Sequence, residues 1–515
     1  MIATNFWAES AATGLAAPSA GANTSPLSRD ADRLTRAAPH GDVDVDVCIV
    51  GGGLTGLWSA YYLAKADPTL SIAILEKETV GFGASGRNGG WCSALFPRSA
   101  ASLERAYGFD QAVAMRRAMI ETVAEVGRVT AAEGIDCDFA QEGTITYAMN
   151  ELQVGSARTD VEEARRFGVD QLEYWDFDRS HAHYVDRGHP HGARAAAYDP
   201  ACARLQPGKL VRGLARVVES LGVRIYENTE VTSWLPQFVN FRARPGLSGT
   251  DRAGLNDTGL NDTGLNDTGL ERTRPDGARR DRDGVVATNQ IVIATEAYGA
   301  QLPGVGRRIL PLYSLMIATE PLPDEFWHTA GLEHGNTFSD YRHLLIYGQR
   351  TADNRFAFGG RGARYHWGSS IHASYDGVQR VFDHLATTLT DLFPDARGAQ
   401  VTHRWGGPIG VPRDWHASAS YNPRTGIAFA GGYVGDGLST TNLAGRTLTD
   451  LITRADTDLT GLPWVNHLSP RWEPEPLRFI GANLGLTSAA LADEEERMTG
   501  RPSLTAKLLG PLTGH

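Results

Sequence analysis

Residues 43–50 read VDVDVCIV, alternating at first and then continuously apolar, as in a strand buried inside a parallel sheet. Helical spacing follows over 54–66 and a second apolar strand over 71–76, which together make a βαβ unit. Apolar positions three and four apart predict helices over 101–135, 209–221 and 375–392. Strands are predicted at 143–149, 223–226, 229–234, 284–295, 311–320, within 341–361 and at 426–432. The last of these runs through glycines into a helix over 438–453. Residues 1–40 are rich in Ala, Ser, Gly and Pro without a sustained period, and read as a mobile arm. The tail after 455 carries Trp464, Trp472 and several prolines, and is expected to wrap the surface.

A chain of 515 residues suits two large domains or an interleaved pair. Its 58 glycines exceed the usual share of ~7%, which indicates tight turns or close approach of backbone to a ligand. A formal net charge of −11 with no long basic run argues against nucleic acid as a partner. Only Lys65, Lys77, Lys209 and Lys507 are lysines, so 45 of the 49 basic residues are arginines, the mark of GC-rich coding rather than of an anion site. Cys48, Cys92, Cys137 and Cys202 are scattered without a C-x-x-C pair, and His366, His372, His403 and His416 have no paired spacing. No metal site is expected, and a reducing cytoplasm fits. The N-terminus lacks the features of a signal peptide, and no apolar window approaches 18 residues, so no membrane span is expected. The pentamer GLNDT occurs three times in tandem over 254–268. Its period is too short for a solenoid, and it reads as a slippage-expanded surface loop rather than a Ca²⁺ site.

Gly51-x-Gly53-x-x-Gly56 lies between the first strand and the first helix, the context that gives this motif meaning. Gly51 permits the tight turn, Gly53 the approach of a pyrophosphate, and Gly56 close packing of helix on strand. Leu54 and Thr55 open the helix, whose N–H groups and positive dipole end then face the phosphates. Glu76 ends the second strand, 20 residues beyond Gly56, where an acid accepts hydrogen bonds from the adenosine ribose and disfavours a 2′-phosphate. Two further segments choose between NAD and FAD. Residues 83–90 (GASGRNGG) form a small, polar loop able to pass close under a ligand, and 431–439 (GGYVGDGLS) join a late strand to a helix N-terminus. A dinucleotide held from both ends of the chain fits FAD better.

At these residues the chain resembles the D-amino-acid-oxidase-like, glycine-oxidase-like superfamily of FAD enzymes, and within it the γ-glutamylputrescine oxidases. The shared pieces include VGGGLTGLWSAYYLAK, GASGRNGG, the helix start Pro207-Gly208-Lys209-Leu210, IVIATEAY, IATEPL, YGQRTADNRFAFGGR, Trp405-Gly406-Gly407 and GYVGDGLSTTNLAG. With the motif reading, the resemblance implies FAD contacts at Gly51, Gly53, Leu54, Thr55, Gly56, Glu76 and Lys77. It adds Gly83, Ala84, Ser85, Arg87, Asn88, Gly89 and Gly90, the backbone of Val231, Gly407, and Gly435, Asp436, Gly437, Leu438, Ser439 and Thr440. The flavin is expected to be non-covalent, because the family's usual cysteine is missing from 405–411 (WGGPIGV) and Cys92 is a poor substitute. Two positions depart from the family: Asp436 stands where His is common, and Gln349 near where close relatives carry an Arg. A one-residue shift of register would bring Arg350 into that second place.

The expected fold is α/β: a Rossmann-like FAD-binding domain (41–100, 200–310 and 400–455) interleaved with a mixed-sheet α+β substrate domain (101–199 and 311–399). Residues 254–270 form a low-complexity insert and 456–515 an extension. On the substrate side, Tyr347 and Gln349 lie two apart on one strand and so share a face. Arg361 and Trp91 are the other candidates for the catalytic pocket. The resemblance implies oxidation of a small amine to an imine by hydride transfer to flavin, with reoxidation by O₂ or another acceptor. The alternatives are an NAD(P)H-dependent aromatic hydroxylase and a non-catalytic FAD-binding subunit.

Overall fold

The structure is a computed structural model that describes residues 5–13, 36–177, 188–244 and 282–506. Val43–Val50 lies within one sheet, parallel to Ile72–Leu75 on one side and to Arg282–Ile293 on the other. Arg224–Tyr226 extends the sheet beyond Ile72–Leu75. Ile427–Gly431 and Ser418–Asn422 extend it beyond Arg282–Ile293, the last strand antiparallel. The first half of Arg282–Ile293 also pairs antiparallel with Phe238–Ala243, which pairs in turn with Thr229–Leu235.

The period of two explains why 43–50 ends in a continuous apolar run. Val47 and Ile49 enter the core beneath the helices, whereas Cys48 and Val50 enter a second core on the opposite face. Helices Leu54–Ala66, Phe109–Ala132, Pro207–Ser220 and Gly437–Thr453 contribute to the first of these cores. The second sheet runs, in order, through Val401–Val411, Leu310–Thr319, Phe356–Gly360, Ile346–Arg350, Thr337–Asp340, Thr144–Ala148, Ala195–Asp199 and Glu173–Asp176. It is antiparallel except where Thr337–Asp340 meets Thr144–Ala148, so it is a mixed sheet.

Several expectations need correction. The start of the arm expected to be mobile is a packed helix, Phe6–Thr13, with Phe6 and Trp7 buried against Met316, Ala357 and Trp405. Two bulky aromatics provide enough apolar surface to hold so short a helix down. The helical stretch 101–135, expected in the substrate domain, packs Leu103, Met115, Met119 and Val126 into the core of the first sheet. Val401–Val411, expected in the FAD domain, pairs along its length with Leu310–Thr319 in the second sheet. The tail does more than wrap. Trp464 is 0% exposed in the main core, Trp472 Nε1 donates to Val411 O at 2.8 Å, and a helix follows at Leu477–Thr499.

A helix not foreseen, Glu151–Arg166, buries Val154, Ala157, Val161 and Ala164. Their spacing of three, four and three was readable, but the many charges of the segment masked it. The GLNDT repeats lie outside the described residues. Among the described residues, no helix is long and apolar enough to cross a membrane.

Candidate functional site

The turn after the first strand is built as its glycines require. Gly51 has φ 110°, and a Cβ there would stand 2.6 Å from Ala294 O; a Cβ on Gly56 would stand 2.1 Å from Gly51 O. Helix Leu54–Ala66 starts at Gly53, which has no side chain to cap it. The Gly52 N–H donates to Glu76 Oε2 at 2.7 Å and the Glu78 N–H to Oε1 at 2.9 Å. Burial pushes the Glu76 carboxyl up to about 7, although those backbone donors pull it down. The Leu54 N–H donates to Ser85 Oγ at 2.9 Å, tying the 83–90 loop to the helix start.

A cleft of about 540 Å³ begins at this turn. Of the candidate cofactor residues, Gly51, Gly53, Leu54, Thr55, Glu76, Lys77, Gly83, Ala84, Ser85, Asn88, Val231, Gly435, Gly437 and Leu438 line it. The last three open helix Gly437–Thr453, whose N-terminus also has no side-chain cap. The cleft thus runs between two helix N-termini, beside a strand-end carboxylate and glycines whose missing Cβ atoms leave room. That geometry fits an elongated, phosphate-bearing dinucleotide.

Apart from Asp436, which adjoins the lining residues Gly435 and Gly437, the remaining candidates stand behind the wall. Gly56 is spent on helix–strand packing. Arg87 turns to Asp376 at 2.6 Å and to Phe82 O at 2.7 Å, and Gly407 faces its aliphatic stem. Ser439 Oγ donates to Ser93 O at 2.5 Å and Thr440 Oγ1 to Asp436 O at 2.6 Å. Gly89 and Gly90 abut Tyr347 and Gln349: a Cβ would meet the Tyr347 ring at 2.5 Å in the first case and Gln349 Nε2 at 2.0 Å in the second.

Tyr347 and Gln349 do share a face, but that face meets the loop rather than the cleft. Tyr347 also hydrogen-bonds Ser314 Oγ at 2.8 Å. Gln349 is 1% exposed and donates to Gly89 O at 2.6 Å. Arg350 points the other way, to Leu332 O, Asn354 and Asp324, with Trp327 beneath its guanidinium, so no shift of register brings it into the site. Trp91 is half-buried on a short strand opposite Arg204 and does not line the cleft. Cys92, next to it, is fully buried, and burial holds its thiol well above the ordinary range.

Arg361 does reach the site's end. Its Nη2 donates to Val434 O at 2.8 Å and stands 3.9 Å from where a Cβ of Gly435 would be, with Trp415 beneath it. Burial pushes the Asp436 carboxyl up to about 6, with Ser93 and the nearby Arg361 charge pulling it down.

Sequence reasoning missed Glu296, Tyr433, Tyr298 and Asp376, all in the cleft wall. Glu296 has φ 45° and accepts from the Tyr433 N–H at 3.0 Å, and burial pushes it up to about 7. It follows a strand end with no local pattern to single it out. Only the return of 408–433 across the sheet gives it partners.

The model of the FAD dependent oxidoreductase family (DAO) matches residues 46–451. The chain belongs to that family. It is therefore an FAD-dependent oxidoreductase, and the cleft residues fit its cofactor. Among curated relatives, the γ-glutamylputrescine oxidoreductase of Escherichia coli is 28% identical over 420 residues, spanning 80% of this chain and 84% of the relative. The sarcosine oxidase β subunit of an Arthrobacter species is 25% identical over 227 residues, 42% of this chain and 51% of its own. Among solved structures, glycine oxidase from Geobacillus kaustophilus matches with TM-score 0.62 at 20% identity, covering 83% of this chain and 100% of that one. L-Amino acid deaminase from Proteus myxofaciens matches with TM-score 0.61 at 15% identity, covering 84% and 94%. These structural likenesses concern the fold.

Proposed function

We propose that the protein oxidises a small primary or secondary amine carrying a distal polar group, at the CH–NH bond. The observation that carries this reading is a charged pair, Arg361 and Asp436, flanking Gly435 where that residue lines the cleft at the N-terminus of helix Gly437–Thr453. The likeness to γ-glutamylputrescine oxidoreductase and to sarcosine oxidase supports the amine. FAD, when bound, would supply the acceptor for the hydride lost from the amine α-carbon, with water hydrolysing the resulting imine to a carbonyl compound and the released amine, and O₂ or another acceptor taking the electrons.

The chain's own groups bind and orient. Arg361 offers its remaining N–H donors to an acidic or carbonyl group of the substrate, and its pKa is lowered by burial while Asp436 and Tyr347 act in the opposite sense. Asp436, ionised above pH 6, holds a cationic amine near the same end. Gln349 carries no weight in this assignment, because its amide is spent on the loop.

Anaerobic bleaching of the yellow holoprotein against a panel of amines tests the proposal. Amines with a distal carboxylate or amide are expected to reduce the flavin faster than simple α-amino acids, and Arg361→Gln to lose that preference. Reduction by NADPH with no amine active would overturn it in favour of a hydroxylase.

A further inference from the structure

The loop 84–90, which supplies Ala84, Ser85 and Asn88 to the cleft, is held from behind by an unbroken row of donors. Asn5 Nδ2 donates to Gly86 O at 2.9 Å, Trp405 Nε1 to Arg87 O at 2.9 Å, and Trp7 Nε1 to Asn88 O at 2.7 Å. Gln349 Nε2 donates to Gly89 O at 2.6 Å and the Leu205 N–H to Gly90 O at 2.9 Å. Five consecutive carbonyls are committed in this way.

In a planar trans peptide the C=O and the following N–H point in opposite directions, so each anchored carbonyl also aims the next amide. The Arg87 N–H is spent on Ala84 O and the Gly90 N–H on Asn88 Oδ1. Among the described residues, no protein group accepts from the N–H of Asn88 or of Gly89. Two adjacent free donors on a loop beside the cleft make a site for an acceptor atom. Trp405 aims the first and Trp7 the second.

Two of the five anchors therefore come from the N-terminal segment, and its seat is specific. Trp7 is 1% exposed, packs edge-on to Trp405 at 6.0 Å, and its carbonyl accepts from Gln206 Nε2 at 3.0 Å. A Cβ on Gly208 would stand 2.7 Å from Trp7 O, so that glycine is needed for the helix to dock. Asn5 in turn is oriented by the Trp7 N–H, which donates to its Oδ1 at 3.1 Å.

We propose that Asn5 and Trp7 are positioning residues for FAD: through the Gly86 and Asn88 carbonyls the N-terminal helix straps from behind the loop that supplies Ala84, Ser85 and Asn88 to the cleft, and so fixes where that loop meets the cofactor. The strap touches no cofactor atom itself. Its effect passes through two backbone carbonyls.

The test uses the full-length chain with Trp7→Phe, which keeps a ring in the apolar seat and deletes only the donor, and Asn5→Ala. Stripped apoprotein is titrated with FAD by fluorescence quenching, the visible spectrum of the bound flavin is recorded, and the unfolding temperature of the apoprotein is measured. Each variant is expected to bind FAD about 3- to 10-fold more weakly, the loss of one hydrogen bond. Each is also expected to shift the visible bands while the apoprotein unfolds close to the wild-type temperature. Unchanged affinity and spectrum, with or without a lower unfolding temperature, would overturn the proposal and leave the helix a packing element only. Should Trp7→Phe fail to fold, Asn5→Ala, at the partly exposed end of the segment, gives the same reading. Failure of the wild-type chain to bind FAD would strike at the cofactor assignment instead.

Discussion

Glu76 shows how far a single residue is readable. Its type and its 20-residue distance from Gly56 marked it as the ribose acceptor, and it stands in the cleft wall. Its two hydrogen bonds to the Gly52 and Glu78 N–H groups were not visible, because they depend on how the turn folds over the strand end. Glu76→Ala is expected to weaken FAD binding by about 10- to 150-fold, the loss of a charged acceptor worth about 1.5–3 kcal/mol, measured by titration of apoprotein. Unchanged affinity would make Glu76 a clamp on the turn and nothing more. Glu296, unmarked in the sequence, has a consequence for pH. Its folded carboxyl lies at about 7 against an ordinary 4.5. Between those values the folded protein keeps a proton that the unfolded chain has released, so stability contributed below pH 4.5 is lost as pH rises to 7, on the order of 3 kcal/mol at most. In the cofactor-free protein, Glu296→Gln should therefore flatten the fall of unfolding temperature between pH 5 and 7; an identical slope in variant and wild type would refute the shift.

Elements with strong periodicity were legible nearly to the residue, as with Val43–Val50 and Leu54–Ala66. Those whose partners lie far along the chain were not. Nothing in NFWAESAAT indicates that its two aromatics find a seat between Met316 and Trp405, about 300 and 400 residues on. Arg350 makes the same point on a strand: the sequence left it open whether Gln349 or, one residue on, Arg350 faces the site, and only the contact of Gln349 with Gly89 O showed which face meets the flavin loop. Arg350→Ala is thus expected to leave the order of preferred amines unchanged, because its contacts are Leu332 O, Asn354 and Asp324; a selective loss of acidic substrates would contradict this. The GLNDT insert belongs to this scale too. Ala243 and Arg282 are register partners, so the chain leaves and re-enters the sheet at one place, and loop closure depends only weakly on length. Deleting residues 254–268 should leave FAD content and turnover intact; a large loss of either would give the repeats a function.

At the scale of the molecule, the cleft draws on residues from Val50 to Thr441, so both halves of the chain and both sheets line it. No cysteine lines it, and Cys92 is buried in the core. Acid precipitation should therefore release a yellow supernatant whose mass is that of FAD; flavin retained in the pellet would refute non-covalent binding.

The sequence by itself determined the βαβ unit and a dinucleotide turn, because strand periodicity and a glycine turn between strand and helix are local facts that any fold containing them must respect; the choice of FAD and of the family came from the further shared segments at 83–90 and 431–439 and the resemblance they carry. It also placed Arg361 and Asp436 among the candidates. The tertiary structure alone decided which candidates face the cleft, which serve as scaffold, and that the first helix belongs to the site's support. Those facts follow from contacts across hundreds of residues, where the direction of one side chain is set by elements that the local pattern does not name.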